Sequence, residues 1–233
     1  MWGLLWSAGL RQNSPMGASL PVIDRQEFVE RLLACSPEGL SEEQCGRLFL
    51  HYSELRRWNR RVSLVGPIDA ESVVERHYGE SLEGLRLLGR ESGVLVDVGS
   101  GAGFPGFVLA VARPGLEVTL VEARQRKWSF LQAVCRRTGL VCHCLNARVE
   151  ATLVDGLPPE IDWVTTRAVG VRDLGLPVLV PRLSPGGALL LWSGTEDPEL
   201  PSPLAVRRQV PLPGAQHRRI LEISPESGQV KEQ

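Results

Sequence analysis

The chain has 233 residues, 43% apolar and 23% charged, which is enough to bury one sizeable core and too apolar for a disordered chain. Its formal net charge is −1, so bulk charge alone does not announce a nucleic-acid partner. Only Lys127 and Lys231 among the 26 basic residues are lysines; the arginine bias suits phosphate and guanine edges, and a GC-rich genome produces it equally well.

The opening Met1–Pro15 has a short apolar stretch with no basic residue before it, and no run approaches the roughly 18 apolar residues of a membrane span. Neither a signal peptide nor a membrane anchor is expected. Residues 1–20 read as a disordered tail, with Met16 a candidate start. Apolar residues then recur at helical spacing over 24–35 (Phe28, Val29, Leu32, Leu33), 41–58 (Cys45, Leu48, Phe49, Tyr52, Leu55) and 69–88 (Val73, Val74, His77, Leu82, Leu85, Leu88). Ser41 with Gln44 forms a capping box at the second start. A helical extension over 21–90 is expected.

From Val94 the pattern changes to short apolar runs at 94–98, 117–122, 140–145, 161–166 and 187–192, with helical stretches at 105–112, 124–138, 148–153 and 171–181. Strands alternating with helices imply right-handed crossovers and a parallel sheet, a Rossmann-like α/β domain over 91–225 with helices on both faces. Residues 204–211 and 218–223 are expected to close it as a hairpin, and 226–233 to form a tail.

Val96-Asp97-Val98-Gly99-Ser100-Gly101-Ala102-Gly103-Phe104-Pro105-Gly106 runs from a buried strand through a glycine turn into a helix start. Such a loop at the carboxyl end of the first strand is where open α/β sheets bind ligands. Gly101 to Gly106 satisfies the dinucleotide pattern G-x-G-x-x-G, and Glu122 follows about 20 residues on. The same residues fit S-adenosylmethionine, with Glu122 holding the ribose hydroxyls. The carboxylate of Asp97, two residues before the first glycine, is expected to border the cradle, opposing a pyrophosphate and favouring a guest that carries an ammonium and a sulfonium.

After the third strand, the backbone of Val149-Glu150 is placed to meet an adenine edge with Val149 as an apolar wall; a helix start with Glu150 serving the helix dipole fits equally well. The fourth strand ends in Asp162-Trp163-Val164-Thr165-Thr166-Arg167-Ala168, without a Pro-Pro-aromatic turn or a cysteine nucleophile. That suits a nucleophile with an exposed lone pair, such as guanine N7, needing alignment and no catalytic base. Arg167 is placed to hold a cofactor carboxylate or the guanine oxygen, or to make an ordinary ion pair.

Together, Tyr52…Leu55-x-x-Trp58-Asn59, Arg76-His77-x-x-x-Ser81, the loop from Asp97 to Gly106, Arg126-Lys127-x-x-Phe130-Leu131, Arg148-Val149-Glu150 and Arg167-Ala168 resemble the bacterial 16S ribosomal RNA guanine-N7 methyltransferases, the RsmG family or glucose-inhibited division protein B, over about 41–222. The resemblance implies a class I methyltransferase that uses S-adenosyl-L-methionine to methylate a guanine N7 in small-subunit RNA. It places cofactor contacts on Gly99, Phe104, Val149-Glu150 and Arg167, beside Gly101 and Glu122, and carries over no catalytic residue. Three departures stand out: Ser63-Leu64-Val65 where the family often has Asn-Leu-Thr, Ser193 where many members have lysine, and no basic carboxyl-terminal tail.

Three basic clusters are candidate RNA contacts: Arg56-Arg57-Trp58-Asn59-Arg60-Arg61; Arg124, Arg126, Lys127, Arg136 and Arg137; and Arg207, Arg208, Arg218 and Arg219. Trp58 is expected to pack in the junction between extension and sheet. Cys35, Cys45, Cys135, Cys142 and Cys144 form no disulfide framework, implying free thiols in a reducing cytoplasmic compartment; Cys135 with Cys142, His143 and Cys144 matches no closed zinc motif, so no metal is expected. The oligomeric state is not legible, with a monomer as the default.

Overall fold

The computed structural model describes residues 18–226 apart from 71, 150–154 and 168. Helix α1 (Arg25–Ala34) starts where Asp24 Oδ1 accepts from the Glu27 amide at 2.9 Å. Helix α2 (Glu42–Asn59) starts on the expected capping box, with Gln44 N donating to Ser41 Oγ at 3.2 Å and Ser41 N to Gln44 Oε1 at 2.7 Å. The Gln44 amide also donates to Val111 O and Ala112 O, capping the end of a sheet-covering helix. One glutamine therefore ties two helix termini together.

The third helical stretch is not uniform. It coils as a π-helix over Val74–Gly79, one α-turn (α3, Glu80–Leu82) and a 3-10 segment over Glu83–Leu87. A Cβ on Gly79 would lie 2.8 Å from Cys35 Sγ, and one on Gly84 2.8 Å from the Trp192 ring, so both glycines sit where neighbours press against the backbone. Helical spacing revealed the stretch but not its changes of pitch.

Seven strands form one sheet in the order β3-β2-β1-β4-β5-β7-β6: β1 (Ser92–Val98), β2 (Gly115–Val121), β3 (His143–Leu145), β4 (Ile161–Thr166), β5 (Leu183–Ser193), β6 (Leu204–Pro211) and β7 (Arg219–Pro225). The first five pair in parallel, and the β6–β7 hairpin adds to β5 antiparallel. Helices α4 (Gly106–Ala112) and α5 (Gln125–Thr138) join β1 to β2 and β2 to β3. The expected 140–145 strand is shorter because α5 closes on Gly139 (φ +66), with Leu140 N bonded to Cys135 O, and 140–142 carry the chain to the sheet edge. The expected 171–181 helix breaks into a 3-10 turn (Val171–Asp173), α6 (Leu176–Leu179) and another 3-10 turn (Val180–Arg182), because Gly175 takes φ +68 and Pro177 and Pro181 follow. The expected 148–153 helix lies mostly outside the described residues.

Alternation along β1 sends Leu95 to one face and Val96 and Val98 to the other. Leu95 joins a core made with α1, α2, the 74–87 stretch, α4 and α5, so extension and sheet share one apolar cluster. Phe28, Tyr52 and Tyr78 are fully buried there, with Phe28 5.3 and 5.1 Å from the two tyrosine rings. Burying each ring stabilises by roughly 1.5–3 kcal/mol. Val96 and Val98 pack with β4, β5, β7 and the 174–179 turn. Among the described residues no helix is long and apolar enough to cross a membrane.

Candidate active site

The strand order reverses between β1 and β4, and at that switch point the carboxyl ends of the strands open on a cavity of 590 Å³, the size of a small-molecule site. Gly99, Gly101 and Phe104 line it from the glycine loop, Glu122 from the end of β2, Val149 from beyond β3 and Arg167 from the end of β4. Glu150 lies outside the described residues. Six of the seven residues singled out in the sequence are thus brought to one cavity.

The loop's geometry decides what it can bind. Gly99 N and Ser100 N both donate to Val121 O, at 2.9 and 3.0 Å, and Gly101 N donates to Glu122 Oε2 at 3.0 Å. Gly103 N and Phe104 N turn inward to Ser100 O at 2.6 and 3.2 Å, and Pro105 has no amide hydrogen. A phosphate cradle needs such amides free and pointing at the ligand. Here the protein itself already engages five of them, those of Gly99, Ser100, Gly101, Gly103 and Phe104.

Glu122 is buried, with Oε1 accepting from Arg124 N at 2.7 Å. Each of its oxygens thus takes one backbone amide and keeps lone pairs for a pair of ligand hydroxyls. Asn146 Nδ2 donates to Glu122 O at 2.9 Å, tying the β3 exit to the β2 exit and holding Val149 as an apolar wall. Gly175, at φ +68, backs that wall: a Cβ there would lie 2.7 Å from Val149 O.

Asp97 does not border the cavity, contrary to its sequence expectation. It is fully buried beneath the loop, where Thr165 Oγ1 donates to its Oδ1 at 2.7 Å and Gly106 presses so close that a Cβ would lie 2.5 Å from Asp97 Cβ. Glu122 is the carboxylate on the cavity floor, with Asp173 at the rim. Burial raises the Asp97 pKa from 3.8 to about 6, outweighing the hydrogen bond from Thr165. The native state therefore holds an extra proton between those values, and stability falls as pH rises through that window, by about 3 kcal/mol. Asp97→Asn cannot titrate, so its stability relative to wild type should improve by that amount between pH 4 and 7. Urea unfolding across that range checks this; a pH-independent difference would contradict it.

Three residues not expected among the cofactor contacts help to build the cavity. His51 is fully buried and bridges Tyr78 Oη (Nδ1, 2.7 Å) to Ala102 O (Nε2, 2.8 Å). Because a carbonyl only accepts, Nε2 carries the hydrogen and Nδ1 accepts from the tyrosine. The helical extension thereby holds the glycine loop. Asn59, also buried, donates to Ala18 O and Val65 O and accepts from Leu64 N and Val65 N, laying Leu64 and Val65 against the cavity. His77 stacks on Phe104, centroids 4.9 Å apart and planes 15° off parallel. Burial, then the charges of Arg167 and Arg76, lower its pKa to about 3, so the ring is neutral at pH 7. Ser41 with Gln44 was visible as a motif, whereas the partners of His51 are distant in sequence and left no local sign, and Asn59 joins the distant Ala18 to Leu64 and Val65 just beyond its own helix.

Arg167 enters an internal network: Nη2 donates to Arg76 O at 2.7 Å and Glu80 Oε2 at 2.9 Å. Glu80 is buried, pairs also with Arg218 at 2.9 Å, and its carbonyl accepts from Trp192 Nε1 at 2.7 Å. Trp58 packs on Phe130 at 5.8 Å, in the junction as expected. Cys135 Sγ and Cys144 Sγ lie 3.9 Å apart as free thiols.

The fold is that of class I methyltransferases. A solved S-adenosylmethionine-dependent methyltransferase from Aquifex aeolicus superposes with a TM-score of 0.51 at 15% identity, covering 65% of this chain and 92% of that one. The structure of MtNAS in complex with MTA and tNA gives 0.55 at 16% identity, covering 86% and 74%. At the sequence level, residues 44–200 match the model of the GidB family, rRNA small subunit methyltransferase G, and the chain belongs to that family. The ribosomal RNA small subunit methyltransferase G of Sorangium cellulosum is 38% identical over 187 residues, 79% of this chain and 78% of that protein. That of Methylobacterium radiotolerans is 34% identical over 197 residues, 84% and 87%.

Proposed function

We propose that the protein is an S-adenosyl-L-methionine-dependent methyltransferase that modifies N7 of a guanine in 16S ribosomal RNA, acting as a cytoplasmic monomer on that RNA or on the small subunit. Residues 91–225 form the methyl-transfer unit and 21–90 a helical extension that supports it. The observation that carries the cofactor assignment is the internal bonding of the Gly99, Ser100, Gly101, Gly103 and Phe104 amides, which withdraws them from a phosphate, while Glu122 offers acceptors. A nucleoside cofactor without phosphate fits that chemistry; a dinucleotide does not.

In this reading Glu122 accepts from the ribose hydroxyls, Val149 and the backbone at Val149-Glu150 meet the adenine, Gly99 and Gly101 allow close approach, and Phe104 packs against the bound molecule. Arg167, fixed by Glu80, faces the carboxylate of the amino-acid end. Bound S-adenosylmethionine supplies an electrophilic methyl. The protein's task is then to hold the guanine N7 lone pair in line with it and to exclude water, which apolar Leu64, Val65 and Val169 favour. N7 carries no proton, so a neutral, weakly basic His77 is no handicap.

The test is transfer of labelled methyl to small subunits from a strain lacking the modification, followed by chain cleavage specific to N7-methylguanine. Label should appear at one guanine of 16S RNA. Label on protein, at another base atom, or nowhere would reject the assignment.

A further inference from the structure

Helices α2 and α5 pack antiparallel. Trp58, near the end of α2, meets Phe130 early in α5, whereas Glu54, one turn earlier in α2, reaches Arg137 in the last turn of α5 at 3.9 Å. The carboxyl end of α2 therefore lies along the amino end of α5. Two basic clusters from separate stretches of sequence, Arg60-Arg61 and Arg124-x-Arg126, are brought to the same edge. The edge borders the cavity, since Leu64 and Val65 just beyond α2 line it together with Arg124.

All four arginines are exposed, and none forms an ion pair with a described residue. α5 has no acidic residue and α2 none after Glu54, which is already engaged by Arg57 and Arg137. The third cluster differs: Arg218 pairs with Glu80, Arg219 with Asp197 and Arg208 with Glu222, and Arg207 donates to Pro225 O. A chain of net charge −1 thus keeps unneutralised positive charge along one side of the cavity mouth, while three of the four arginines of the third cluster are paired with carboxylates.

Resting on the RNA substrate assigned above, we propose that Arg60, Arg61, Arg124 and Arg126 form a rim that grips the phosphates of the single-stranded RNA flanking the target guanine, so that the base enters the cavity past Leu64 and Val65. Exposed guanidinium groups beside a cavity that holds one base match a polyanionic strand whose bases are splayed out. Each phosphate contact on a single strand contributes about 0.7 to the slope of log affinity against log salt.

The test compares wild type, Arg60→Glu/Arg61→Glu, Arg126→Glu and Arg60→Lys/Arg61→Lys in binding to unmodified 16S RNA across a salt series, and in methyl transfer to unmodified subunits. Both glutamate variants should lose at least about tenfold in RNA affinity. Salt slopes should flatten by about 1.4 for the double variant and 0.7 for the single, with S-adenosylmethionine affinity by calorimetry unchanged. The lysine variant should keep the wild-type slope. Wild type methylating RNA while the glutamate variants keep wild-type affinity and slope would overturn the rim and leave the function intact, as would a loss of cofactor affinity in those variants equal to their loss for RNA. Wild type transferring no methyl to any RNA would instead remove the functional reading on which the rim rests.

Discussion

Gly99→Asp is expected to lower S-adenosylmethionine affinity at least about 100-fold, a loss of about 2.7 kcal/mol. Gly99 holds φ +73, where an L-residue costs roughly 1–2 kcal/mol. A Cβ there would lie 2.4 Å from Val169 Cγ2, across the cavity wall from the end of β4. The loop cannot retreat, because the Gly99 and Ser100 amides are both anchored on Val121 O. The aspartate would also add a second negative charge near Glu122. Gly99→Ala meets the same contact without the charge and should fall between the two. Calorimetry reads the affinities, and circular dichroism establishes that the sheet persists. Unchanged affinity in a folded Gly99→Asp protein would remove the cofactor from this cavity.

Arg167→Met is expected to lower both stability and cofactor affinity, and a second substitution separates the two. In wild type the buried Glu80 carboxylate is held by Arg167 and Arg218, each at 2.9 Å. Breaking a fully buried pair costs roughly 3–5 kcal/mol. Because Arg218 remains and Arg167 keeps 21% side-chain exposure, about 2–3 kcal/mol is the better estimate here. In a chain of this size that lowers Tm by about 5–10 °C. Adding Glu80→Gln removes the stranded charge, so the double variant should recover most of the Tm. Its cofactor affinity should stay at least about tenfold below wild type, because the guanidinium proposed to face the ligand carboxylate is still missing. Recovery of both would make Arg167 a structural partner of Glu80 with no ligand role.

The two variants differ in how visible their causes are in the sequence. The reason for Gly99 is partly local: a strand, a turn of glycines and a proline at a helix start identify a loop that needs positive φ. Arg167 could be placed at the tip of β4 by spacing, but nothing nearby announced that Glu80 and Arg218 would meet it. Asp97 shows the limit most clearly. Its position next to the glycines suggested a carboxylate facing the guest. In the fold its side chain turns under the loop towards Thr165 and Gly106, and the role passes to Glu122. Two residues of the same charge at two strand ends look alike until side-chain direction is known.

Elements with strong local signals came through the sequence well: α1, the Ser41–Gln44 cap, the core strands β1, β2 and β4, and the β6–β7 hairpin. The pitch of the 74–87 stretch, the break at Gly175 and the shortening of β3 did not. Gly79 and Gly84 in that stretch meet Cys35 and Trp192 from distant segments, whereas the break and the shortening turn on Gly175, Pro177 and Gly139, local residues that apolar spacing alone does not weigh.

By itself the amino-acid sequence determined that a parallel α/β sheet would form, that its first turn would be a glycine loop, and which residues would stand at the strand tips, because alternation and turn chemistry act over a few bonds. Only the tertiary structure decided which carboxylate faces the cavity, that His51 and Asn59 hold its walls, and which arginines stay unpaired at its mouth. Those outcomes depend on packing between segments far apart in the chain, where burial, hydrogen-bond geometry and charge neutralisation are settled together.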